Sequence, residues 1–224
     1  MVQIVTVSSS KGGAGKTTTA ICLADWWSRS GVRVGLIDTD PTKSLSRWYE
    51  KGREKGCFQN IEFRQELHDK RIISTAKELS GMVDLILVDV AGIASISLLK
   101  AAGIADLVII PAQPNEDDFL EALNTRGIVK EAMELTNRDI PCKTLITRGK
   151  QTTMVLKHTL SQLEKINFPL FSTILYERTV YPQARFNGQT PVSYEPTGAA
   201  AGDIRRLADE VLDQLNGQSV LQAA

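Results

Sequence analysis

Two kinds of hydrophobic pattern alternate along the chain. Short runs that are apolar at nearly every position predict strands at Gln3–Val7, Val32–Ile37, Ile61–Arg64, Leu85–Val90, Leu107–Pro111, Lys143–Thr147 and Leu170–Leu175. Several of these have no polar face, as a sheet covered by helices on both sides requires. Between them lie longer stretches whose apolar residues return every three or four positions. They predict helices at Gly15–Ser30, Ser44–Lys55, Arg71–Leu79, Ala94–Ala102, Asp117–Thr136, Thr152–Lys165 and Gly202–Leu215. This rhythm predicts an α/β fold, a doubly wound, mostly parallel sheet with helices on both faces. No repeat or linker divides the chain, so one domain is expected over residues 1–216, with a flexible tail at 217–224.

Such sheets bind ligands beyond the C-terminal ends of their strands, and the chemistry-bearing residues fall there. The first predicted strand runs into Ser8-Ser9-Ser10-Lys11-Gly12-Gly13-Ala14-Gly15-Lys16-Thr17-Thr18. Gly12, Gly13 and Gly15 would weaken a strand or helix, but they suit a loop whose backbone N–H groups curl around phosphate oxygens. The helix that begins here adds the positive end of its dipole. Gly12 to Gly15, with Ala14, form the cradle. Lys16 can reach the β- and γ-phosphates, Thr17 can ligate Mg²⁺, and Thr18 can contact the α-phosphate. The first glycine of the common G-x-x-x-x-G-K-[ST] loop is replaced by Ser10, and an extra lysine, Lys11, opens the loop.

Carboxylates follow two further strands. Period two puts Asp38 and Asp40 on one side of the backbone, aimed at the site. One can support the metal's water shell while the other orients the attacking water. Asp89 ends the apolar run Leu85-Ile86-Leu87-Val88 and is expected to hold Mg²⁺ through water. Gly92, just beyond, would let the backbone approach the γ-phosphate as a switch loop.

With both lysines and this strand–loop–helix context, the sequence resembles the ParA/MinD ATPases, the deviant-Walker branch of the P-loop NTPases. The resemblance spans nearly the whole chain. Its later blocks are Leu145-Ile146-Thr147-Arg148, Glu177-Arg178-Thr179-Val180-Tyr181 and Gly188-Gln189-Thr190-Pro191-Val192, as in small plasmid-type ParA proteins. It implies an ATP-sandwiched homodimer in which Lys11 reaches the partner's nucleotide. It also implies that Asp40 activates water, leaving Asp38 a metal-side role. Where the family often continues Asp-Pro-Gln, this chain has Thr42. The element Ile110-Pro111-Ala112-Gln113-Pro114 matches one that lies near the adenine in the family, which would put Pro111 and Pro114 beside the base. The resemblance further implies slow hydrolysis stimulated by a ParB-like, centromere- or cargo-binding adaptor, and nonspecific DNA binding by the ATP dimer.

Charge and composition narrow the partners. The chain of 224 residues has zero formal net charge, with 42% hydrophobic and 23% charged residues, so DNA affinity has to come from a local patch. Acids outnumber bases eight to three from Asp106 to Asp139, and bases outnumber acids nine to four from Pro141 to Arg206. Arg148, Lys150, Lys157, Arg178 and Arg185 are therefore the candidate DNA contacts, binding phosphates without reading bases. Such residues also serve simply as a solvated face. Cys22, Cys57 and Cys142 have no metal or redox spacing and read as free thiols. No signal peptide is expected, and no apolar run reaches membrane length. The last predicted helix has acidic neighbours along its apolar stripe, so it reads as a packing helix and not a membrane anchor. The expectation is a cytoplasmic, nucleoid-associated plasmid-segregation ATPase. The alternatives are a different cargo (a carboxysome, a chemoreceptor cluster or a conjugative-transfer complex), a metabolic P-loop enzyme, or a binding module that does not hydrolyse.

Overall fold

The computed structural model describes residues 2–92 and 95–221. Its strands are β1 (Gln3–Val7), β2 (Val34–Asp38), β3 (Ile61–Gln65), β4 (Leu85–Asp89), β5 (Leu107–Ala112), β6 (Cys142–Gly149) and β7 (Leu175–Tyr176). They form one sheet in the order β3-β2-β4-β1-β5-β6-β7, with every pairing parallel. The helices are α1 (Lys16–Arg29), α2 (Ser44–Glu54), α3 (Ile72–Leu79), α4 (Ser95–Gly103), α5 (Glu116–Thr136), α6 (Met154–Lys165), α7 (Val180–Phe186), α8 (Pro191–Tyr194) and α9 (Ala199–Leu221). β1 lies at the centre, where the order reverses, which is the switch point at which ligands enter such sheets.

Alternation along each strand divides the core in two. Val5, Val7, Leu36, Leu87, Leu107 and Ile109 face a layer containing Ile21, Leu23 and Trp27 of α1 and Ile204, Leu207 and Val211 of α9. Ile37, Ile86, Val88, Val108 and Ile110 face Ile72 and Leu79 of α3, Leu98 of α4 and Val129 of α5. Strands buried on both faces explain the unbroken apolar runs. Gly35 in β2 has a packing reason, because a Cβ there would lie 3.2 Å from both Ile86 and Val83 side chains.

Most predicted elements stand within one or two residues, and the departures are local. β7 is only Leu175–Tyr176, and Leu170 makes a single bridge to Thr144. α6 starts at Met154, because Thr152 has a left-handed φ of 66° and Thr153 caps the helix. The short helices α7 and α8 were not expected. The predicted α4 start, Ala94, lies outside the described residues. α9 extends past the expected end at Leu215 through Leu221, so residues 217–221 of the expected tail are helical, and residues 222–224 lie outside the described residues. Its Ile204, Leu207, Ala208, Val211 and Leu215 are all buried, the spacing of a packing stripe. No described helix is long and apolar enough to cross a membrane. All three cysteines are free.

Candidate functional site

Strand register builds the site. Asp89 at the end of β4 is level with Val7 of β1 and Asp38 of β2, so the loop leaving β1 emerges beside two strand-end carboxylates. The loop turns through left-handed residues at Gly13 and Gly15, with φ of 78° and 102°. At Gly15 a Cβ would also press against Thr147 at 3.3 Å. Thr147 of β6 donates to the Ala14 carbonyl at 2.7 Å and pins this turn.

Lys16 is 8% exposed, and its Nζ donates across the loop to the Lys11 carbonyl at 2.7 Å. Burial lowers its pKa, against the pull of Asp89 and then Asp40. The Thr17 hydroxyl donates to Asp89 Oδ2 at 2.8 Å. Burial above all pushes Asp89 up to about 7, helped by Asp38 and Asp40 and opposed by the Thr17 hydroxyl and Lys16. A hydroxyl joined to a desolvated carboxylate suits Mg²⁺, a hard cation that keeps much of its water and takes phosphate oxygens. Among the described residues no cluster of three or more His, Cys, Asp or Glu forms a self-sufficient metal cage. Gly92 closes this end of the site. A Cβ on it would lie 3.0 Å from Lys16 Nζ and 3.1 Å from the Ser9 carbonyl.

The two aspartates after β2 part company. Asp38 is fully buried and accepts from the Asp40 backbone N–H at 3.0 Å, the Ser46 N–H at 2.9 Å and the Ser46 hydroxyl at 2.6 Å. Its carboxylate is committed to the first turn of α2. It lines neither cavity in this arrangement, which sets it apart from the metal-side placement expected from the sequence. Asp40 instead lines the cavity, and its carboxylate accepts the Thr42 N–H at 2.8 Å. The period-two reading does not carry to Asp40, because β2 ends at Asp38 and the Asp40 N–H turns back on to the Asp38 carboxylate.

Lys11 lies on the other flank of the loop. Its ammonium is 2.5 Å from Asp118 Oδ1 of α5, a residue 1% exposed. The hydrogen bond to Asp118 raises the pKa of Lys11. Asp118 Oδ2 accepts the Gln113 N–H at 2.8 Å. Ser10, in the place of the missing glycine, has its backbone N–H on Thr125 Oγ1 at 3.2 Å. α5 therefore holds the front of the loop at two points.

Two cavities meet over this loop. The larger, about 710 Å³, is lined by Gly12, Lys16, Thr17, Asp40, Gly92 and their neighbours. The second, about 620 Å³, is walled by Trp48, Thr147, Tyr176, Tyr181 and Pro182 among others. Gly15, Thr18, Arg148 and Arg185 line both, so the two form one continuous cleft.

The VirC1 protein family model matches residues 2–214. The chain belongs to the VirC1 family. It is 31% identical over 180 residues to the protein ParA of Rhizobium radiobacter, covering 80% of each chain. It is 23% identical over 220 residues to a maintenance of carboxysome distribution protein A of Halothiobacillus neapolitanus, covering 92% of this chain and 94% of that one. In fold it matches a plasmid partition protein of Borrelia burgdorferi bound to AMPPNP, with a TM-score of 0.75 at 19% identity over 96% of this chain and all of that one. The VirC1-family chain is thus of the ParA/MinD type, among the partition and positioning ATPases.

Against this geometry the remaining expectations divide. Gly12, Gly13, Gly15, Lys16, Thr17 and Thr18 all line the larger cavity, while Ala14 is fully buried and offers its carbonyl to Thr147. Pro111 and Pro114 line neither cavity. Pro111 is inside β5, level with Leu145 of β6. The five candidate DNA contacts do not form one free face. Arg148, Arg178 and Arg185 line the cleft, Arg178 is paired with the buried Asp203 at 3.0 Å, and Lys150 lies 3.4 Å from Glu177. Lys157 is exposed on α6. Sequence reading missed Asp118, Thr125, Trp48 and Tyr176. Asp118 did leave a signal, since it is in phase with the buried Ala122, Thr125, Val129 and Ala132 of α5.

Proposed function

We propose that the chain is an ATP-driven positioning switch. ATP lies along the cleft, its triphosphate over Gly12–Thr18 and its adenosine in the second cavity between Trp48, Arg148 and Tyr176. Thr17, with Asp89 behind it, would hold Mg²⁺, which supplies neutralising charge at the β- and γ-oxygens. Lys16 gives up the Lys11 carbonyl for those oxygens, and Asp40 orients the attacking water. The observation that carries this reading is the buried Lys16 ammonium, bonded to a loop carbonyl, beside the Thr17–Asp89 pair and under Gly92. A phosphate is a far stronger partner for that ammonium.

The rest of the cycle leans on family membership. Two ATP-bound copies close face to face, with each Lys11 serving the other's nucleotide. The homodimer holds nonspecific DNA in the cytoplasm, at the nucleoid, and a ParB-like adaptor on the cargo stimulates slow hydrolysis and release. Plasmid segregation is the cargo reading favoured by the similarity to a ParA, and a protein-compartment cargo is the second, favoured by the similarity to a carboxysome-distribution protein. The decisive measurement is ATPase activity with and without DNA and a candidate adaptor, on the native chain and Asp40→Ala. The variant should bind ATP normally and lose about 10²-fold in hydrolysis. Undiminished hydrolysis would remove Asp40 from the water-orienting role.

A further inference from the structure

A positively charged shelf lies beside the second cavity, and one of its residues, Arg185, also lines the cleft. α2 presents Arg47 and Lys51 one turn apart, both exposed. The Lys51 ammonium lies 4.9 Å from the ring centre of Phe186 on α7, and Phe186 is 78% exposed. The preceding residue, Arg185, stacks its guanidinium 5.1 Å over Trp48 and donates to Ser44 Oγ at 2.7 Å. Burial and then the charge of Arg47 lower the Arg185 pKa. The helix junction is rigid. A Cβ on Gly52 would lie 2.5 Å from the Gly188 carbonyl, so α2 meets the α7–α8 turn backbone against backbone.

Among the described residues none of Arg47, Lys51 and Arg185 is ion-paired to a carboxylate, whereas Arg178, Lys150 and Lys11 all are. Glu50 and Glu54, by helical spacing, border the stripe on the flank away from α7. Cations without an ion pair among the described residues, set around an exposed aromatic ring, are matched by an anionic polymer with flat groups to pack on the ring. We infer that Arg47, Lys51, Arg185 and Phe186 form the DNA-binding face, with phosphates on the cations and a sugar or base against the phenyl ring. This rests on the DNA-binding part of the proposed function and assigns it to a surface. It also couples that surface to nucleotide. Arg185 lines both cavities, and α2 begins just after the Asp40 turn, where the Lys43 N–H donates to the Asp40 carbonyl at 2.9 Å.

The test is fluorescence anisotropy on a labelled duplex with ATP and Mg²⁺ present, across a salt series. Arg47→Glu/Lys51→Glu should lose DNA affinity by about tenfold or more and flatten the salt dependence by roughly two phosphate contacts, while ATP affinity stays native. The control is Lys77→Glu/Lys165→Glu, an equal charge change at two other exposed lysines, which should bind within about twofold of native by the same charge argument. Phe186→Ala should weaken binding about fivefold or more without altering the salt slope. Equal losses in the two charge variants would reduce the effect to overall charge and overturn the assignment. Native affinity in the α2 variant would overturn it as well, with DNA binding itself intact. A native chain that hydrolyses ATP but binds no DNA under any nucleotide condition would instead overturn the DNA part of the proposed function.

Discussion

Lys11 and Lys16 belong to one loop and carry the same charge, but the chain holds them by different means. Lys16 is buried, its ammonium bonded to a neutral carbonyl, and desolvation lowers its pKa. The Lys11 side chain is about a third exposed, its ammonium is bonded to the buried Asp118 carboxylate, and that contact raises its pKa. The first arrangement is poised, because an arriving phosphate improves on what the lysine already has. The second is restrained, because Lys11 can reach elsewhere only by leaving a buried anion without its cation. On the proposed reading, one half of the loop is preassembled for nucleotide within a single chain, and the other would have to be released before it could serve a second copy.

The largest expected effect tests the poised half. Lys16→Ala should lower the rate of ATP hydrolysis by about 10²–10³-fold, as loss of a preorganised contact to developing phosphate charge does. A rate within a few fold of native would mean that Lys16 does not serve the phosphates. The restrained half should answer differently to Lys11→Ala. ATP binding to the single chain should hold within about twofold, while ATP-dependent dimerisation measured by sedimentation weakens about 10- to 100-fold. If the variant pairs as readily as native, Lys11 does not cross to a second copy.

Gly92→Ala sharpens the same contrast from outside the loop. The added methyl would meet Lys16 Nζ at 3.0 Å and two backbone carbonyls, of Ser9 and Ser10, at 3.1 and 3.3 Å. Only the ammonium can yield. Overpacking of this kind costs about 1–3 kcal/mol, and its functional part should fall on Lys16, as weaker ATP binding by calorimetry with the Lys11–Asp118 pair undisturbed. Unchanged ATP affinity would show that Lys16 works from a position which Gly92 does not constrain.

How much of this the sequence disclosed follows the same division. Whatever is set by local pattern was legible. Doubly apolar runs gave the strands of a covered sheet, and closely spaced glycines with a lysine and a threonine after them marked the loop that lines the cleft. Whatever is set by contacts between distant elements was not. Nothing near Asp38 shows that Ser46, eight residues on, takes its carboxylate away from the cleft. Arg148, Arg178 and Arg185 read as surface charge because sequence spacing does not reveal that β6, β7 and α7 fold them around one cavity. Pro111 matched an element associated with the base, yet its side chain belongs to a strand paired with β6. Lys11 was legible as a lysine out of place, but its holder, Asp118, lies 107 residues away.

The smallest expected effect bears most directly on the restrained half. Asp118→Asn keeps an oxygen for the Gln113 N–H and nearly the same volume, while it removes the charge that holds Lys11. A buried amide also has no anion to strand, so releasing Lys11 becomes cheaper. ATP-dependent dimerisation should tighten by about two- to fivefold, the scale of a partly exposed ion pair discounted for solvent screening, and ATP affinity of the single chain should not move. Dimerisation that is unchanged or weaker would mean that Asp118 organises the start of α5 and imposes no restraint on Lys11. In that case both halves of the loop would be equally ready before ATP arrives, and the contrast between the two lysines would be one of burial alone.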